Sequence, residues 1–534
     1  MMYDKLAALL FPNIDKDISY YEEIYPERDV KFVTRFAPSP TGFLHIGSLY
    51  TAYISSIMAK QNNGIMLLRI EDTDSKREVV DGKKNIVSDL KNFNINIDEG
   101  ISNGNYGPYV QSERKIIYQT FVKYLVSIGL AYPCFLTENE ISDIRKQQEI
   151  NKEQQGIYGK YAYSRGLSFD EIKNKIESGI SYVIRLKNDF APGKIICEDL
   201  IKGKIEFPTN ELDIVLLKSD GIPTYHLAHV IDDHLMRVTH VIRGDEWLSS
   251  LPIHYQLFKI FGFKIPKYAH ISPITKKEGN TIRKLSKRKD KECLVSYYEE
   301  LGIPSEVIKL YFNTLINPNY EEWYNSNSTN EFLFSFKKMP IGGSLFDSDK
   351  LFSISRIYFS RLTASELFDR ASNYYKVHDL DFYNELVSDY DYSINMLNIE
   401  RNIKKPRKDI SCYSDIKKYF WYFFDKYFYS MNNCEQYNNY DISLLKEYVN
   451  FYKHSDDKDT WYSRLKSFSF DRGYSPSVKE YNSNPNLYKG HIGNVCEMLR
   501  VALTSSLETP DIYEIMQVMG ENRVLDRINS FVNK

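Results

Sequence analysis

The chain has 534 residues, 43% of them hydrophobic, and a formal net charge of −2. That length exceeds one compact core and predicts about three or more domains, and the small charge excludes a globally basic nucleic-acid binder, leaving any such contact to local patches. No stretch approaches a membrane span, the N-terminal MMYDKLAALLFPNIDKD lacks a secretory pattern, and six cysteines (Cys134, Cys197, Cys293, Cys412, Cys434, Cys496) are scattered without a close pair, so reduced thiols and a cytoplasmic location are expected.

Residues 1–30 read as a polar-aromatic extension with a short helix. Lys31 to Ala37 is an apolar run that predicts a buried strand. Pro38-Ser39-Pro40-Thr41-Gly42 is turn chemistry. From His45 the spacing of Ile46, Leu49, Tyr50, Tyr53, Ile54, Ile57 and Met58 predicts a helix that Asn63-Gly64 ends. A strand follows at Ile65 to Ile70 and a helix around Asp81 to Phe93. Residues 116–212 read as an insertion with a helix, a very polar segment (Asn139 to Gln155) and short strands such as Ser181 to Leu186. The apolar run Asp213 to Leu217 predicts the return to the first sheet, which continues through Val238 to Ile242 into a helix after Trp247. From about 270 the chain links to a helical region: Cys293 to Leu315 has helical period with a Gly-Ile-Pro break, and from about 341 helices dominate. No internal repeat is evident.

Two short motifs carry the chemistry. Strand, Gly/Pro turn and helix make the first half of a nucleotide-binding βαβ unit, whose helix start offers N–H groups and a positive dipole end to an anion. His45 there can donate to a phosphate, and Gly47 lets a flat adenine ring approach the backbone. The second motif, Lys284-Leu285-Ser286-Lys287-Arg288, lies in a basic run, TIRKLSKRKDK. Alone it reads as a solvated loop. With the helix start upstream, its lysines fit stabilisation of a leaving pyrophosphate.

The chain resembles the class I aminoacyl-tRNA synthetases, with His45 to Ser48 (HIGS) corresponding to the family's HIGH motif and Lys284 to Arg288 to its KMSKS motif. The glutamyl branch is the nearer likeness, on TRFAPSPTGFLHIG (Thr34 to Gly47), LLRIEDTD (Leu67 to Asp74), PTYHLAHVIDDHLMRVTHVIRGDEWL (Pro223 to Leu248) and MLRVALT (Met498 to Thr504). The resemblance implies an α/β fold: a Rossmann-like doubly wound parallel sheet split by an inserted module, followed by a mostly α-helical C-terminal anticodon-binding region. The expected segments are the extension 1–30, the first half of the catalytic domain 31–115, an inserted acceptor-end-binding module 116–212, the second half 213–270, a stem-contact region with the KLSKR loop 271–340, and the helical anticodon-binding region 341–534.

The resemblance also implies a site. ATP is expected on His45, Gly47, Ser48, Lys284, Ser286 and Lys287, of which His45, Lys284 and Lys287 are catalytic. Glutamate is expected on Arg35, Ser39, Glu71, Tyr225 and Arg243: two cationic forks for its carboxylates and Glu71 for its ammonium. Arg35 and Arg243 each end a strand, at the edge where this fold binds ligands. His229 lies where many relatives carry Asn.

His226, His229, His234 and His240 with Asp232 and Asp233 invite a zinc reading, but no HExxH-type set appears, and a helix packed on a sheet accounts for them better. No protein metal site is expected: Cys134 stands where some relatives have Cys-x-Cys, and no structural zinc follows. Magnesium is expected with ATP, held by phosphates and water. In the C-terminal half, the aromatic run Lys417 to Met431 reads as core rather than a base-stacking face. The basic, Pro-broken Arg401 to Lys408 is the better phosphate-contact candidate.

The expected activity is glutamate–tRNA ligation: ATP-dependent formation of glutamyl-adenylate, then transfer to the 3′-terminal ribose of tRNA(Glu). The alternatives are charging of tRNA(Gln) as well, glutamine specificity, or a non-catalytic tRNA-binding paralogue. The expected partners are tRNA, L-glutamate and ATP, with no membrane, and the expected state is a monomer.

Overall fold

The computed structural model describes residues 2–42, 44–74, 79–286, 288–326, 330–431 and 440–533. Phe43, Lys287 and Cys434, singled out above, lie outside the described residues. The chain forms two compact units: Met1–Tyr297 with Lys309–Asp347, and Tyr298–Ile308 with Ser348–Lys534.

In chain order the first unit holds α1 (Met2–Leu10), α2 (Ile18–Ile24), β1 (Val33–Phe36), α3 (Ile46–Gln61), β2 (Ile65–Leu68), α4 (Gly82–Asn92), α5 (Lys115–Ser127), β3 (Ala131–Cys134), α6 (Glu138–Ile150), α7 (Phe169–Glu177), β4 (Val183–Leu186), β5 (Lys194–Asp199), β6 (Gly203–Pro208), β7 (Val215–Leu217), α8 (Tyr225–Leu235), β8 (His240–Gly244), α9 (Leu251–Phe261), β9 (Lys267–Ile271), β10 (Ile274–Glu278), β11 (Thr281–Lys284), a short helix (Asn319–Asn325) and β12 (Ser344–Leu345).

The main sheet has the order β2-β1-β8-β9-β5-β6. Its strands are parallel except β6, which forms an antiparallel hairpin with β5. All four residues of β1 are buried, as a strand covered on both faces requires. Thr34 tolerates that burial by donating its hydroxyl to the Ser55 carbonyl of α3 at 3.0 Å. From β1 the chain crosses to β2 on one side. From β8 it crosses to β9 on the other. The crevice at the carboxyl ends of β1 and β8 is therefore a topological switch point, the usual ligand position in an open α/β sheet. The turn from α3 into β2 needs a glycine: a Cβ on Gly64 would lie 2.1 Å from the Phe32 carbonyl oxygen.

One sequence expectation is corrected. The apolar run ending at Leu217 does not rejoin the main sheet. β7 pairs antiparallel with β4, in a separate sheet ordered β3-β4-β7. A continuous apolar run specifies burial, not a partner, and Leu216 and Leu217 are buried in the same core as α5 and α8. Conversely, the β5–β6 hairpin of the inserted stretch extends the main sheet through the parallel pairing of Asp199 with Tyr268 on β9. The N-terminal extension belongs to this core too: Leu6, Ala7 and Leu10 of α1 and Tyr21 of α2 are buried in it, and Glu22 pairs with Arg237 at 2.7 Å.

The second unit is helical, from Ser348–Arg361 to Glu521–Val532. The aromatic run is core, with Phe420, Tyr422, Phe423, Phe424 and Phe428 buried. The Arg401 to Lys408 expectation needs correction at its first residue. Arg401 donates to the Phe359, Leu362 and Leu397 carbonyls at 2.6, 2.9 and 3.0 Å, so its guanidinium closes helix ends instead of facing a phosphate.

Candidate active site

Two adjoining cavities open at the switch point. The smaller, about 110 Å³, is lined by His45, Gly47, Ser48, Lys284 and Leu285 among others. The larger, about 300 Å³, is lined by Arg35, Ser39, Glu71, Tyr225, Arg243 and Trp247 among others. Ser48, Thr51, Gly244 and Glu246 line both, so the two cavities share a wall.

The smaller cavity is built on the start of α3. His45 is its N-cap, and the Ser48 N–H donates to His45 Nδ1 at 2.9 Å. With Nδ1 accepting, the neutral ring carries its proton on Nε2, 3.1 Å from Ser48 Oγ. Gly47 has a second reason to be glycine, because a Cβ there would crowd the His45 ring at 3.1 Å. Across the cavity Lys284 ends β11, its Nζ 3.4 Å from a Glu246 carboxylate oxygen. Ser286 does not reach the cavity wall. Its N–H donates to Asp290 at 2.9 Å, within the loop. Arg283 is also held inside the loop, by Asp290 and Glu278.

The larger cavity presents two buried guanidiniums and, beside the exposed Asp74 and Glu246, the largely buried carboxylate of Glu71. Arg35 leaves β1 with Nη1 donating to the Ile242 carbonyl at 3.2 Å and Nε 3.5 Å from Asp233. Arg243 on β8 donates to Tyr225 Oη at 3.1 Å and to the Trp247 carbonyl at 3.2 Å. Glu71 accepts from Arg69 Nη2 at 3.0 Å. Burial pushes its pKa up against the pull of Arg69 and Arg35, so an arriving ammonium would offset a desolvation cost already present. Behind this floor, Arg69 pairs with Asp233 at 2.6 Å and Arg114 with Asp232 at 2.7 Å. Asp232 also accepts from Tyr118 and Gln111, as buried charges require. In the run Glu71-Asp72-Thr73-Asp74, Asp72 faces away, to Ser112 and Lys83.

The histidines of α8, and His240 of β8, are structural. His229 is wholly buried behind the cavity, stacked on His254 with centroids 4.1 Å apart and 3.0 Å from Tyr268 Oη. Burial, then Arg243, pushes its pKa well below the usual value, so it stays neutral. His234 stacks on Phe263, and His240 on Phe32. Among the described residues, no group of three or more His, Cys, Asp or Glu is arranged to hold a metal ion.

Sequence reasoning missed Thr51, Glu246 and Trp247 on the cavity walls, and His254, His270 and Asp199 behind Arg243. The helical spacing from Ser48 could have indicated Thr51, and the short step from Arg243 could have indicated Glu246 and Trp247. The last three depend on strand pairing, which has no local signal.

A nucleotide-type helix start and a charged second cavity at the switch point of a doubly wound sheet define the catalytic domain of a class I synthetase. Residues 31–335 match the family described as "tRNA synthetases class I (E and Q), catalytic domain", and residues 488–532 match "Anticodon binding domain". The chain is 44% identical to a glutamate–tRNA ligase of Acetivibrio thermocellus, covering 99% of each chain. It is also 44% identical to one of Clostridium perfringens, covering 99% of this chain and 100% of that one. A crystal structure of a glutamate tRNA ligase from Elizabethkingia meningosepticum, in complex with its amino acid, superposes with a TM-score of 0.77 at 26% identity, covering 94% of this chain and 99% of that one. The chain belongs to the glutamate–tRNA ligase family.

Proposed function

We propose that the chain activates L-glutamate with ATP and transfers it to the 3′-terminal ribose of tRNA(Glu). The observation that carries this is the floor of the larger cavity, where buried Arg35 and Arg243 face the same space as Glu71. Glutamate presents two carboxylates and one ammonium. Two cationic forks and one acid are the complement. Asp74 and Glu246 also line this cavity but lie at its wetter rim, and Glu246 is balanced by Lys284. A glutamine amide would need an acceptor where the arginines offer donors.

The α-carboxylate oxygen of glutamate attacks the α-phosphorus of ATP, and the bond to pyrophosphate breaks. The terminal ribose hydroxyl then attacks the activated carbonyl, and AMP leaves. Catalysis here is positioning of the two cavities' ligands together with neutralisation of charge. The His45 Nε2–H, the N–H groups at the start of α3 and the Lys284 ammonium would take the phosphate charge as it moves to the leaving group. Lys287 would add to this. Magnesium fits if phosphates and water provide most of its ligands: Glu246 is the carboxylate on the nucleotide cavity's wall that could reach it, and the ion would supply phosphate neutralisation.

The anticodon would be read by the second unit. A cavity of about 700 Å³ there is lined by Arg407, Tyr419, Gly493, Arg500 and Thr509 among others, within and beside the segment that matches an anticodon-binding family. Charging purified tRNA(Glu) and tRNA(Gln) with labelled glutamate, ATP and magnesium tests the reading. Label on tRNA(Glu) is expected. Label on both would mean a second enzyme must amidate the mischarged product, and tRNA binding without charging of either would overturn ligase activity.

A further inference from the structure

Arg243 is held by a row of residues that crosses three strands. It is the register partner of His270, its neighbour across the parallel pair β8–β9. Arg243 Nε donates to His270 Nε2 at 3.0 Å. On the far side, His270 Nδ1 lies 2.7 Å from Asp199 Oδ2 at the end of β5. All three residues are buried, at 5%, 0% and 6% exposure in the order named.

The hydrogen bonds fix one proton arrangement. An arginine N–H can only donate, so His270 Nε2 must accept. The imidazole proton is then on Nδ1, where the Asp199 carboxylate takes it. Asp199 is itself over-determined: Oδ1 accepts from the Ile201 and Lys202 N–H groups at 2.9 and 2.8 Å, and Oδ2 accepts from the His270 N–H at 3.0 Å. The other face of the guanidinium is held the same way. Arg243 Nη1 lies 3.3 Å from His254 Nδ1, and His254 Nε2 lies 3.2 Å from His226 Nδ1.

We propose that His270, oriented by Asp199, is the positioning residue that aims the Arg243 guanidinium into the amino-acid cavity. The carboxylate comes from the inserted β5–β6 hairpin, so the insertion takes part in setting the amino-acid pocket. This rests on the reading of that cavity as the glutamate site. His270 never meets the substrate. Its effect is on where Arg243 points, and therefore on glutamate and not on ATP.

The test uses the full chain, titrated with L-glutamate in a calorimeter and assayed for separate KM values of glutamate and ATP. His270→Leu removes the acceptor from Arg243 Nε, and glutamate affinity is expected to fall about tenfold or more, the usual effect of one hydrogen bond to a charged group, with the KM for ATP within about twofold by the same reasoning. His270→Gln returns an acceptor toward Arg243 and is expected to recover most of the loss. His270→Asn can still donate to Asp199 but is too short to reach Arg243, and is expected to recover little. A merely structural histidine would leave Gln and Asn equal, or would move both KM values together, and either result overturns the proposal. If His270→Leu fails to fold, the Gln-against-Asn comparison decides alone. Failure of the wild-type chain to bind glutamate would instead remove the reading of the cavity beneath it.

Discussion

Asp290 takes both arms of the Arg283 guanidinium, at 2.6 Å from Nη1 and 2.9 Å from Nη2. The same carboxylate accepts the Ser286 N–H at 2.9 Å, and the Asp290 N–H donates back to the Ser286 carbonyl at 2.9 Å. The hydrogen bonds from Arg283 hold the Asp290 carboxyl well below the usual carboxylate range against the cost of burial. The basic run is thus a folded loop with an acidic centre.

Asp290→Asn breaks that clasp. One amide cannot accept from both a guanidinium fork and a backbone N–H, and Arg283 keeps only Glu278 of its two counter-charges. The rate of adenylate formation is expected to fall by about 10- to 100-fold, with glutamate affinity unchanged. Pyrophosphate exchange with tRNA present, set beside glutamate calorimetry, checks this. Equal loss in both would mean the clasp supports the whole unit rather than the loop.

The two cavity arginines should not be replaceable by lysine. Arg35→Lys and Arg243→Lys each keep the charge but lose the planar fork. The glutamate KM is expected to rise about 10- to 100-fold in each, while the KM for ATP stays put. Arg243→Lys should be the worse, because the ammonium cannot hold His270, Tyr225 and the Trp247 carbonyl together. A glutamate KM within about twofold of wild type in either variant would remove that arginine from the substrate's reach.

What was legible beforehand follows from the range of each interaction. β1, α3 and β2 are local patterns of strand, turn and helix, and the structure has them where the spacing put them. Arg35 and Arg243 sit at strand ends, which sequence position alone reveals. β7 was misplaced because Leu216 and Leu217 state only that they are buried. Which sheet buries them is settled by β3 and β4, far away in the chain. Arg401 misled for a related reason: a basic loop predicts solvent or phosphate, but besides the nearby Leu397 carbonyl its guanidinium meets the Phe359 and Leu362 carbonyls that folding brings in. Asp199, His270 and Arg243 form a row only once β5, β9 and β8 lie side by side.

Buried histidines make the chain sensitive to acid. Burial, then Lys267, pushes His240 down to about 4, and burial, then Arg243, pushes His226 down to about 4. The unfolded value is about 6.5. These folded-state values are depressed, so the unfolded chain binds more protons between about 4 and 6.5, and stability rises with pH across that window. The contribution is fully present above about pH 6.5 and is lost as pH falls toward about 4. The melting temperature should therefore drop between pH 7.5 and pH 5. His240→Phe, which keeps the stack on Phe32 without a titrating group, should show a smaller drop. An unchanged drop would mean that His240 is not among the groups responsible.

The cavity of the second unit gives the last test. Arg500 Nη1 donates to the Thr509 carbonyl and hydroxyl at 2.9 and 2.7 Å and to the Pro510 carbonyl at 3.1 Å, so it holds the loop that forms one wall. Arg407 Nη1 is buried without a hydrogen-bond partner among the described residues, although its other arm meets Asp409. A buried N–H of this kind is costly unless a ligand satisfies it, and a nucleotide offers acceptors. Arg407→Ala should raise the KM for tRNA about tenfold and leave glutamate affinity unchanged. Arg500→Ala should do more, because it removes a contact and loosens the wall. The measurement is tRNA KM in aminoacylation beside glutamate calorimetry. A tRNA KM that moves in neither variant would place anticodon reading elsewhere on the unit, and a loss of glutamate affinity in either would show that the substitution acts through the fold rather than through tRNA.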